Sequence, residues 1–231
     1  MIDIHTHILP YVDDGSGDLD KSIAMLKEAE SEGVTGVILT PHYRNKYLCD
    51  KDYLTNEFLS FKDKAKSAGV NVDLYLGQEI FVSRGVRELV EKGKLCSLGD
   101  TRYLLLELNY NEKQDLTEIV YEYKLSGYTV IFAHVERYAY ITVEDVVSVK
   151  EMGALIQVNA EGLVGLNGIK IKKRIKKLLK ADLVDFVASD YHEDRNYVMK
   201  SAYEHVEKKY GKERADRIFK ENQEKLLKGS D

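Results

Sequence analysis

Residues 113–134 of the chain read KQDLTEIVYEYKLSGYTVIFAH, and this stretch contains one complete unit of the predicted fold. Its first part has the pattern of an amphipathic helix that ends at Gly127, a residue that commonly terminates helices. The following run TVIFAH is continuously apolar up to its last residue, as in strands buried on both faces. The stretch therefore predicts a helix followed by a buried strand that ends in a histidine, His134.

The same order of helix, glycine and apolar run recurs along the chain. Seven apolar runs occupy residues 2–5, 36–40, 72–77, 103–108, 129–134, 154–159 and 184–189. The recurrence favours βα units with right-handed crossovers. Seven such units in 231 residues predict a closed or nearly closed α/β barrel. An open, doubly wound sheet is the alternative.

The composition is that of a globular protein, with 44% hydrophobic and 32% charged residues, and predicts one domain over residues 1–231. A net charge of -5 argues against nucleic acid or an anionic membrane as a partner. No apolar segment reaches the roughly 20 residues of a membrane span, and the N-terminus lacks the features of a signal peptide. Cys49 and Cys96 form neither a disulfide framework nor a metal motif. We therefore expect a cytoplasmic protein that does not insert into membranes.

Polar side chains are concentrated at the predicted C-terminal ends of the strands. Five of the six histidines have this placement, as do three acidic residues: His5, His7, His42, His134, His192, Glu79, Glu107 and Asp190. In a βα barrel these ends meet at one face, so the side chains should point into a common cup. Burying unpaired carboxylates is costly, and bound metal ions would explain why they are gathered there.

The size and chemistry of this set suit more than one ion. With about three to four protein ligands per ion, it predicts two or three divalent ions. The mixture of imidazole and carboxylate fits Mn, Fe or Zn. Asp13 or Asp14 in the following loop could complete the set, and the spacing does not choose between them.

Six short motifs carry a resemblance to a known family. They are HTH at 5–7, TPH at 40–42, EI at 79–80, the acid at 107, AHVER at 133–137 and SDYH at 189–192. In this order, the motifs resemble the polymerase-and-histidinol-phosphatase (PHP) superfamily. The segments HILPYVDDG, GQEIF and HVERY are similar to those of the metal-dependent protein-tyrosine phosphatases of bacterial capsule and exopolysaccharide operons. The similarity extends from Met1 to about Arg195.

The resemblance implies a distorted (β/α)7 TIM-like barrel with a trinuclear metal centre at the strand C-terminal ends, and we expect Mn in preference to Fe or Zn. The residues that match the first metal site are His5, His7, Glu79 and Asp190. Glu79 would bridge to a second site, which also contains Glu107 and His134. A third site is matched by Asp14, His42 and His192. The match thus implies Asp14 rather than Asp13. Arg137 matches an arginine that holds the substrate phosphate, and Arg195 lies near a second.

The implied activity is hydrolysis of phosphotyrosine by a metal-bound hydroxide, with the tail of a bacterial tyrosine kinase of polysaccharide export as the substrate. The alternatives are a small-molecule phosphatase of the histidinol-phosphate type and a PHP-type 3′–5′ exonuclease, and the acidic net charge argues against the latter. A barrel that only stores metal would leave Arg137 unexplained. Val135 replaces a proline that the family usually has, and the loop after His192 also departs from its pattern, so substrate preference stays open.

Three other features have simpler interpretations. The segment Cys96–Arg102 has the spacing of cysteine-dependent phosphatases, but a predicted helix precedes it and a strand follows, the reverse of the order that such a loop needs. The basic run at 170–180 predicts an amphipathic barrel helix, with docking of an acidic tail as the alternative. We expect Tyr43, Tyr47 and Tyr138 to pack in the core or at its rim rather than against a substrate ring.

Overall fold

The structure is a computed structural model that describes residues 1–229. Its inner layer consists of parallel strands. The strand segments are β1 Ile2–Thr6, β2 Gly36–Leu39, β3 His42–Tyr43, β4 Asp73–Leu76, β5 Glu79–Phe81, β6 Tyr103–Glu107, β7 Thr129–Phe132, β8 Leu155–Asn159 and β9 Phe186–Ala188. They pair in the orders β1-β2-β4 and β3-β5-β6-β7-β8-β9. Every pairing between these segments is parallel, as the βα pattern predicts.

The predicted strands at 36–40 and 72–77 correspond to β2 and β4, and each is followed, after a break of two residues, by a further short segment, β3 or β5. Only residues 40–41 separate β2 from β3, and only residues 77–78 separate β4 from β5. Pro41 has no amide hydrogen to donate to a ladder. Gly77 packs so tightly that a Cβ there would lie 2.7 Å from Leu98 Cδ2. The segments therefore occupy seven strand positions, in agreement with the seven predicted strands.

The seven strand positions curl into a ring. The His7 amide donates to the Tyr191 carbonyl at 2.9 Å, and the Asp190 amide donates to the His5 carbonyl at 2.8 Å. These bonds join β1 to the segment that follows β9. The prediction of a distorted (β/α)7 TIM-like barrel is confirmed, and the open sheet is ruled out.

Helices cover the outside of the ring. Their bounds are α1 Leu19–Ser31, α2 Lys51–Ser67, α3 Val86–Glu91, α4 Leu116–Leu125, α5 Val143–Glu151, α6 Ala160–Val164, α7 Ile169–Lys180, α8 Met199–Tyr210, α9 Lys212–Asp216 and α10 Asn222–Leu227. Asp18 caps α1 by accepting the Lys21 amide at 2.8 Å. The short α6 is not predicted by the pattern. Within residues 1–229, no helix combines the length and the apolar character needed to cross a membrane.

Apolar side chains fill the ring below the site. Ile4, Ile38, Leu105, Ile131 and Phe186 form part of one buried cluster inside the barrel. A larger apolar cluster lies between the strands and the surrounding helices. The apolar filling closes the interior of the barrel, and the polar residues lie at its open end, where the strands have their C-terminal ends.

Candidate active site

The predicted metal-ligating residues lie together at the C-terminal end of the barrel. The eight that follow strands are buried: His5, His7, His42, Glu79, Glu107, His134, Asp190 and His192. The side chain of Asp14, which is 44% exposed, borders them. We call these nine side chains the donor cluster. The structure thus brings the whole predicted set into one place.

Glu79 occupies the middle of the donor cluster. It is the first residue of β5 and lies opposite His42 of β3 in the parallel register. Glu79 Oε2 lies 2.7 Å from His42 Nδ1, 3.3 Å from His5 Nε2 and 3.4 Å from His7 Nε2. Glu79 Oε1 lies 2.8 Å from His134 Nε2. One carboxylate therefore contacts four imidazoles, as expected of a group shared between adjacent ions.

Asp190 shares two of these imidazoles with Glu79 and contacts a third, that of His192. Its Oδ1 lies 3.6 Å from His5 Nε2, 3.5 Å from His7 Nε2 and 3.5 Å from His192 Nδ1. The backbone of Asp190 is left-handed, with φ 53°, immediately before the segment that closes the ring. This uncommon conformation costs free energy and ties the carboxylate to one position in the turn.

The loop after β1 gives its two acidic residues different places. Asp13 Oδ2 lies 2.7 Å from His7 Nδ1 and accepts the His42 amide at 2.9 Å, so Asp13 is behind the His7 ring. Asp14 Oδ1 lies 3.6 Å from His42 Nε2 and 3.9 Å from His192 Nε2. Asp14, the choice that the resemblance implies, therefore faces the cluster, whereas Asp13 orients a histidine from outside it.

Gly15 allows this loop to pack against β1. A Cβ at Gly15 would lie 2.0 Å from the His7 carbonyl oxygen and 2.2 Å from His7 Cβ. We expect Gly15→Ala to lower the free energy of unfolding by about 1 to 3 kcal/mol and to displace Asp13 and Asp14, because backbone cannot yield as a flexible side chain does.

Denaturant unfolding and metal analysis check this expectation. Gly17→Ala in the same loop is the matched control, since a Cβ there would meet nothing nearer than Glu193 Oε2 at 3.4 Å. Equal stability and equal metal content in the two variants would contradict the packing role of Gly15.

Unpaired buried atoms indicate that the donor cluster fits metal ions. His42 Nδ1 and Glu79 Oε2 lie 2.7 Å apart but do not have hydrogen-bond geometry, and Glu107 Oε2 is buried as well, so none of these three atoms has a hydrogen-bond partner within residues 1–229. Such atoms are costly unless a cation or water satisfies them. Ligand atoms within 4.8 Å of one another form four groups of three: His7, His42 and His192; His5, His7 and Asp190; His5, Glu79 and His134; and His42, Glu79 and Glu107. Imidazole and carboxylate are the ligands that Mn, Fe and Zn share.

The pKa values of the donor cluster shift in both directions. Burial alone would lower the pKa of His7, but the carboxylates of Asp13 and Glu79 raise it to about 10. Burial and the charge of Glu79 raise the pKa of Glu107 to about 7. Burial lowers the pKa of His134 to about 4, which keeps this imidazole in the neutral form that binds metal.

Amide and hydroxyl groups support the ligand set from behind. Gln157 Oε1 accepts the His134 amide at 2.8 Å and lies 3.2 Å from His5 Nδ1. The fully buried Tyr138 accepts the Leu108 amide at 2.9 Å, and its hydroxyl lies 3.2 Å from His134 Nδ1. These contacts leave the Nε2 atoms of both histidines facing Glu79. The packing role predicted for Tyr138 is confirmed, whereas Gln157 is a functional residue that the sequence analysis missed.

Both predicted arginines lie against Asp190. Asp190 Oδ2 is 3.1 Å from Arg137 Nη1 and 2.6 Å from Arg195 Nη1. Arg137 also lies over the Tyr110 ring, with Cζ 5.1 Å from its centroid. Glu136 is buried and accepts the Asn159 amide at 3.0 Å, so it is not the partner of Arg137.

A third arginine at the site was not predicted. Arg44 Nη1 lies 2.6 Å from Glu107 Oε1, and the side chain is 27% exposed. Arg44 follows His42 by two residues, and this proximity to a strand end is the signal that could have identified it. The donor cluster therefore has guanidinium groups on two sides.

A cleft of about 480 Å³ adjoins the donor cluster at the two predicted arginines. Arg137, Arg195 and Tyr110 line it together with Glu161 and Ile171. Glu161 accepts the Asn196 amide at 3.2 Å, which ties the loop after His192 to α6. The cleft therefore has room for an anionic group beside the donor cluster and for the rest of a substrate toward α7.

Cys96 is not part of the site. It is buried, α3 precedes it and β6 follows it, as the sequence predicts. Burial raises the pKa of its thiol to about 12, so the thiolate that a cysteine phosphatase needs is not formed at neutral pH. The cysteine-dependent interpretation is therefore ruled out.

Solved structures and curated sequences give a consistent comparison. A solved structure described as that of YwqE from Bacillus subtilis and CpsB from Streptococcus pneumoniae, unique metal-dependent tyrosine phosphatases, superimposes with a TM-score of 0.94 at 32% identity. The match covers 100% of this chain and 96% of that chain. The tyrosine-protein phosphatase YwqE of Bacillus subtilis is 34% identical over 99% of this chain and 92% of its own length.

A second curated relative and a family model agree with this. The tyrosine-protein phosphatase CpsB of Streptococcus pneumoniae is 31% identical, and the match covers 98% of each chain. The family model for capsular polysaccharide synthesis, CpsB/CapC, matches residues 1–228. The resemblance to the capsule-type PHP phosphatases is confirmed, and the chain belongs to the CpsB/CapC family.

Proposed function

We propose that this protein is a metal-dependent protein-tyrosine phosphatase and that residues 1–231 form a single phosphatase domain. The observation that carries the proposal is the donor cluster beside a cleft lined by Arg137 and Arg195. The cluster supplies sites for cations, and the arginines supply forked donors for phosphoryl oxygens. Its relatives named tyrosine-protein phosphatases cover almost the whole chain, which supports the same substrate class.

We assign the ligands as the resemblance implies. His5, His7, Glu79 and Asp190 would hold the first ion; Glu79, Glu107 and His134 would hold the second; and Asp14, His42 and His192 would hold the third. Bound divalent ions, with Mn favoured over Fe or Zn, make water nucleophilic at neutral pH and offset the charge of the phosphoryl group. The short contacts of Glu79 with His42 and His134 support its assignment as the bridging ligand.

The arginines bind and orient the substrate phosphate. Arg137 and Arg195 now share one carboxylate oxygen, Asp190 Oδ2. A phosphate dianion offers both guanidinium groups a stronger, forked partner, and a substrate in the cleft would draw them from Asp190. Asp190 Oδ2 would then keep the Asn159 side-chain amide, which donates to it at 2.8 Å, so substrate binding and ligand geometry are linked through one side chain.

The physiological substrate that we propose is a phosphotyrosine-bearing tail of a bacterial tyrosine kinase in capsule or exopolysaccharide synthesis, which places the protein in the cytoplasm. The CpsB/CapC family of capsular polysaccharide synthesis proteins supports this context. Histidinol phosphate and the 3′ end of DNA are the competing substrates. Side-by-side turnover of a phosphotyrosine peptide, histidinol phosphate and single-stranded DNA with Mn²⁺ tests the proposal. Preference for either of the latter two would overturn it.

Activity should depend on metal and not on a thiol. We expect a chelator to abolish turnover of phosphotyrosine peptide and added Mn²⁺ to restore it. Cys96→Ser should change turnover by less than about threefold, because the buried thiol is protonated and lies outside the cluster. Loss of activity in this variant with an unchanged metal content would contradict the metal-dependent mechanism.

A further inference from the structure

The outer face of α7 carries a row of lysines. Lys170, Lys173, Lys177 and Lys180 are separated by three or four residues, so they lie along one side of the helix. We call them the basic stripe. All four are exposed, and none forms a side-chain hydrogen bond or ion pair within residues 1–229. In a chain of net charge -5, four aligned cations without partners are a feature that needs an explanation.

Acidic residues close to α7 in the sequence or in the fold have other partners or share a groove with the helix. Asp182, two residues beyond Lys180, pairs with Arg214 and Arg217. Glu161 is buried and accepts from the Asn167 side-chain amide at 3.2 Å. Glu144 lines a groove together with Arg174 and Lys177. Within residues 1–229, none of these acids forms an ion pair with a lysine of the basic stripe.

The helix that carries the basic stripe also contributes to the proposed substrate cleft, but with a different face. Ile171 at the start of α7 lines the cleft that contains Arg137 and Arg195. Farther along the helix, Arg174 and Lys177 line a separate groove of about 460 Å³, whose opposite wall includes Ile141. From Ile171 to Lys180 the helix rises about 14 Å. An extended peptide covers that distance in about four residues.

We propose that the basic stripe docks acidic residues that flank phosphotyrosine in a protein substrate, an inference that rests on the proposed function. A peptide with its phosphotyrosine in the cleft would have to cross α7, which is about 10 Å wide, to reach the outer face. The carboxylates that dock on the stripe are therefore those about four or more positions from the phosphotyrosine. Such a surface raises the encounter rate and the affinity for acidic sequences, and it acts locally because charges farther than about 8 Å are screened at physiological salt.

An anionic membrane is the other partner that a basic helix face can suggest. Helices that lie on membranes bury their apolar face in lipid. The apolar face of α7, formed by Ile175, Leu178 and Leu179, is buried in the protein. The structure therefore favours a peptide over a membrane surface.

Kinetics with paired substrates test the proposal. A phosphotyrosine peptide with glutamates on both sides is compared with the same peptide carrying glutamines, and p-nitrophenyl phosphate reports the chemical step alone. The stripe variant is Lys170→Gln/Lys173→Gln/Lys177→Gln/Lys180→Gln. The matched control, Lys64→Gln/Lys66→Gln/Lys208→Gln/Lys209→Gln, removes four exposed lysines, from the last turns of α2 and α8.

The stripe variant should lower kcat/KM for the acidic peptide by roughly tenfold, mainly through KM, and the difference should shrink at high salt. The control variant should change it by less than about twofold. Turnover of p-nitrophenyl phosphate and of the neutral peptide should stay near that of the parent. An equal loss with the acidic and neutral peptides, or no loss with either, would overturn the docking role.

Two further measurements separate this inference from the proposed function. Fluorescence anisotropy with the acidic peptide carrying phosphonomethylphenylalanine in place of phosphotyrosine measures docking without turnover, and the stripe variant should bind it more weakly than the control. Absence of metal-dependent turnover with intact binding would refute the proposed function but not the stripe. Cosedimentation with phosphatidylserine vesicles that depends on the stripe, with unchanged peptide binding, would assign the surface to a membrane and overturn the proposal.

Discussion

The Glu79→Gln variant should lose at least about a thousandfold in turnover of phosphotyrosine peptide and should contain fewer bound ions per chain. The amide is nearly the same size as the carboxylate but has no charge to share between two cations. Glu79 contacts four imidazoles, so its neutralisation disturbs more of the donor cluster than any change at the periphery. Metal analysis and kinetics on the same preparation measure both effects.

The comparison variant for this prediction is Asp14→Asn. Asp14 is 44% exposed and lies no closer than 3.6 Å to its histidine neighbours His42 and His192. We expect it to weaken one site and to leave the others loaded. If Glu79→Gln retained the parent's metal content and rate, Glu79 would not be a bridging ligand.

The Arg137→Ala variant should keep its fold and its full metal complement and should lose roughly ten- to a thousandfold in kcat/KM for phosphotyrosine peptide. The guanidinium lies against Asp190 and over Tyr110 at the edge of the cleft. Its removal takes a forked donor from the phosphoryl group without removing a metal ligand.

Arg137→Lys is the conservative variant for this prediction. We expect it to recover only part of the lost activity, because an ammonium group replaces the charge but not the fork. Arg87→Ala on the outer face of α3 removes an arginine away from the site and should leave kinetics unchanged. Parental kcat/KM in both Arg137 variants would place Arg137 outside the substrate site.

The sequence predicts the barrel and the donor cluster because both depend on a repeated local pattern. A polar residue at the end of a buried apolar run is costly to bury in the core, so it is expected at the open end of the barrel. This reasoning applies equally to His134, Glu107 and Asp190. Arg44 and Gln157 were missed for a different reason. An arginine in a loop and an amide within a strand are common at many positions, and only the folded backbone shows which groups they reach.

The division of β2 from β3 and of β4 from β5 also could not be predicted. The first break falls at Pro41, and at the second Gly77 packs closely against Leu98, which lies 21 positions farther along the chain. The different roles of Asp13 and Asp14 depend on how the Gly15 loop packs against His7. Asp13 and Asp14 are adjacent in the sequence, and only contacts with distant segments of the chain give their side chains different positions.

The hydrogen bonds that close the ring join residues 5–7 to residues 190–191. The order of synthesis therefore matters for this protein, since His5 and His7 emerge from the ribosome first and Asp190 among the last. A nascent chain that has not reached Asp190 has only part of the donor cluster and none of the closure. Metal uptake and completion of the fold should then reinforce each other, because ions that bind the finished cluster hold the first and last strands together.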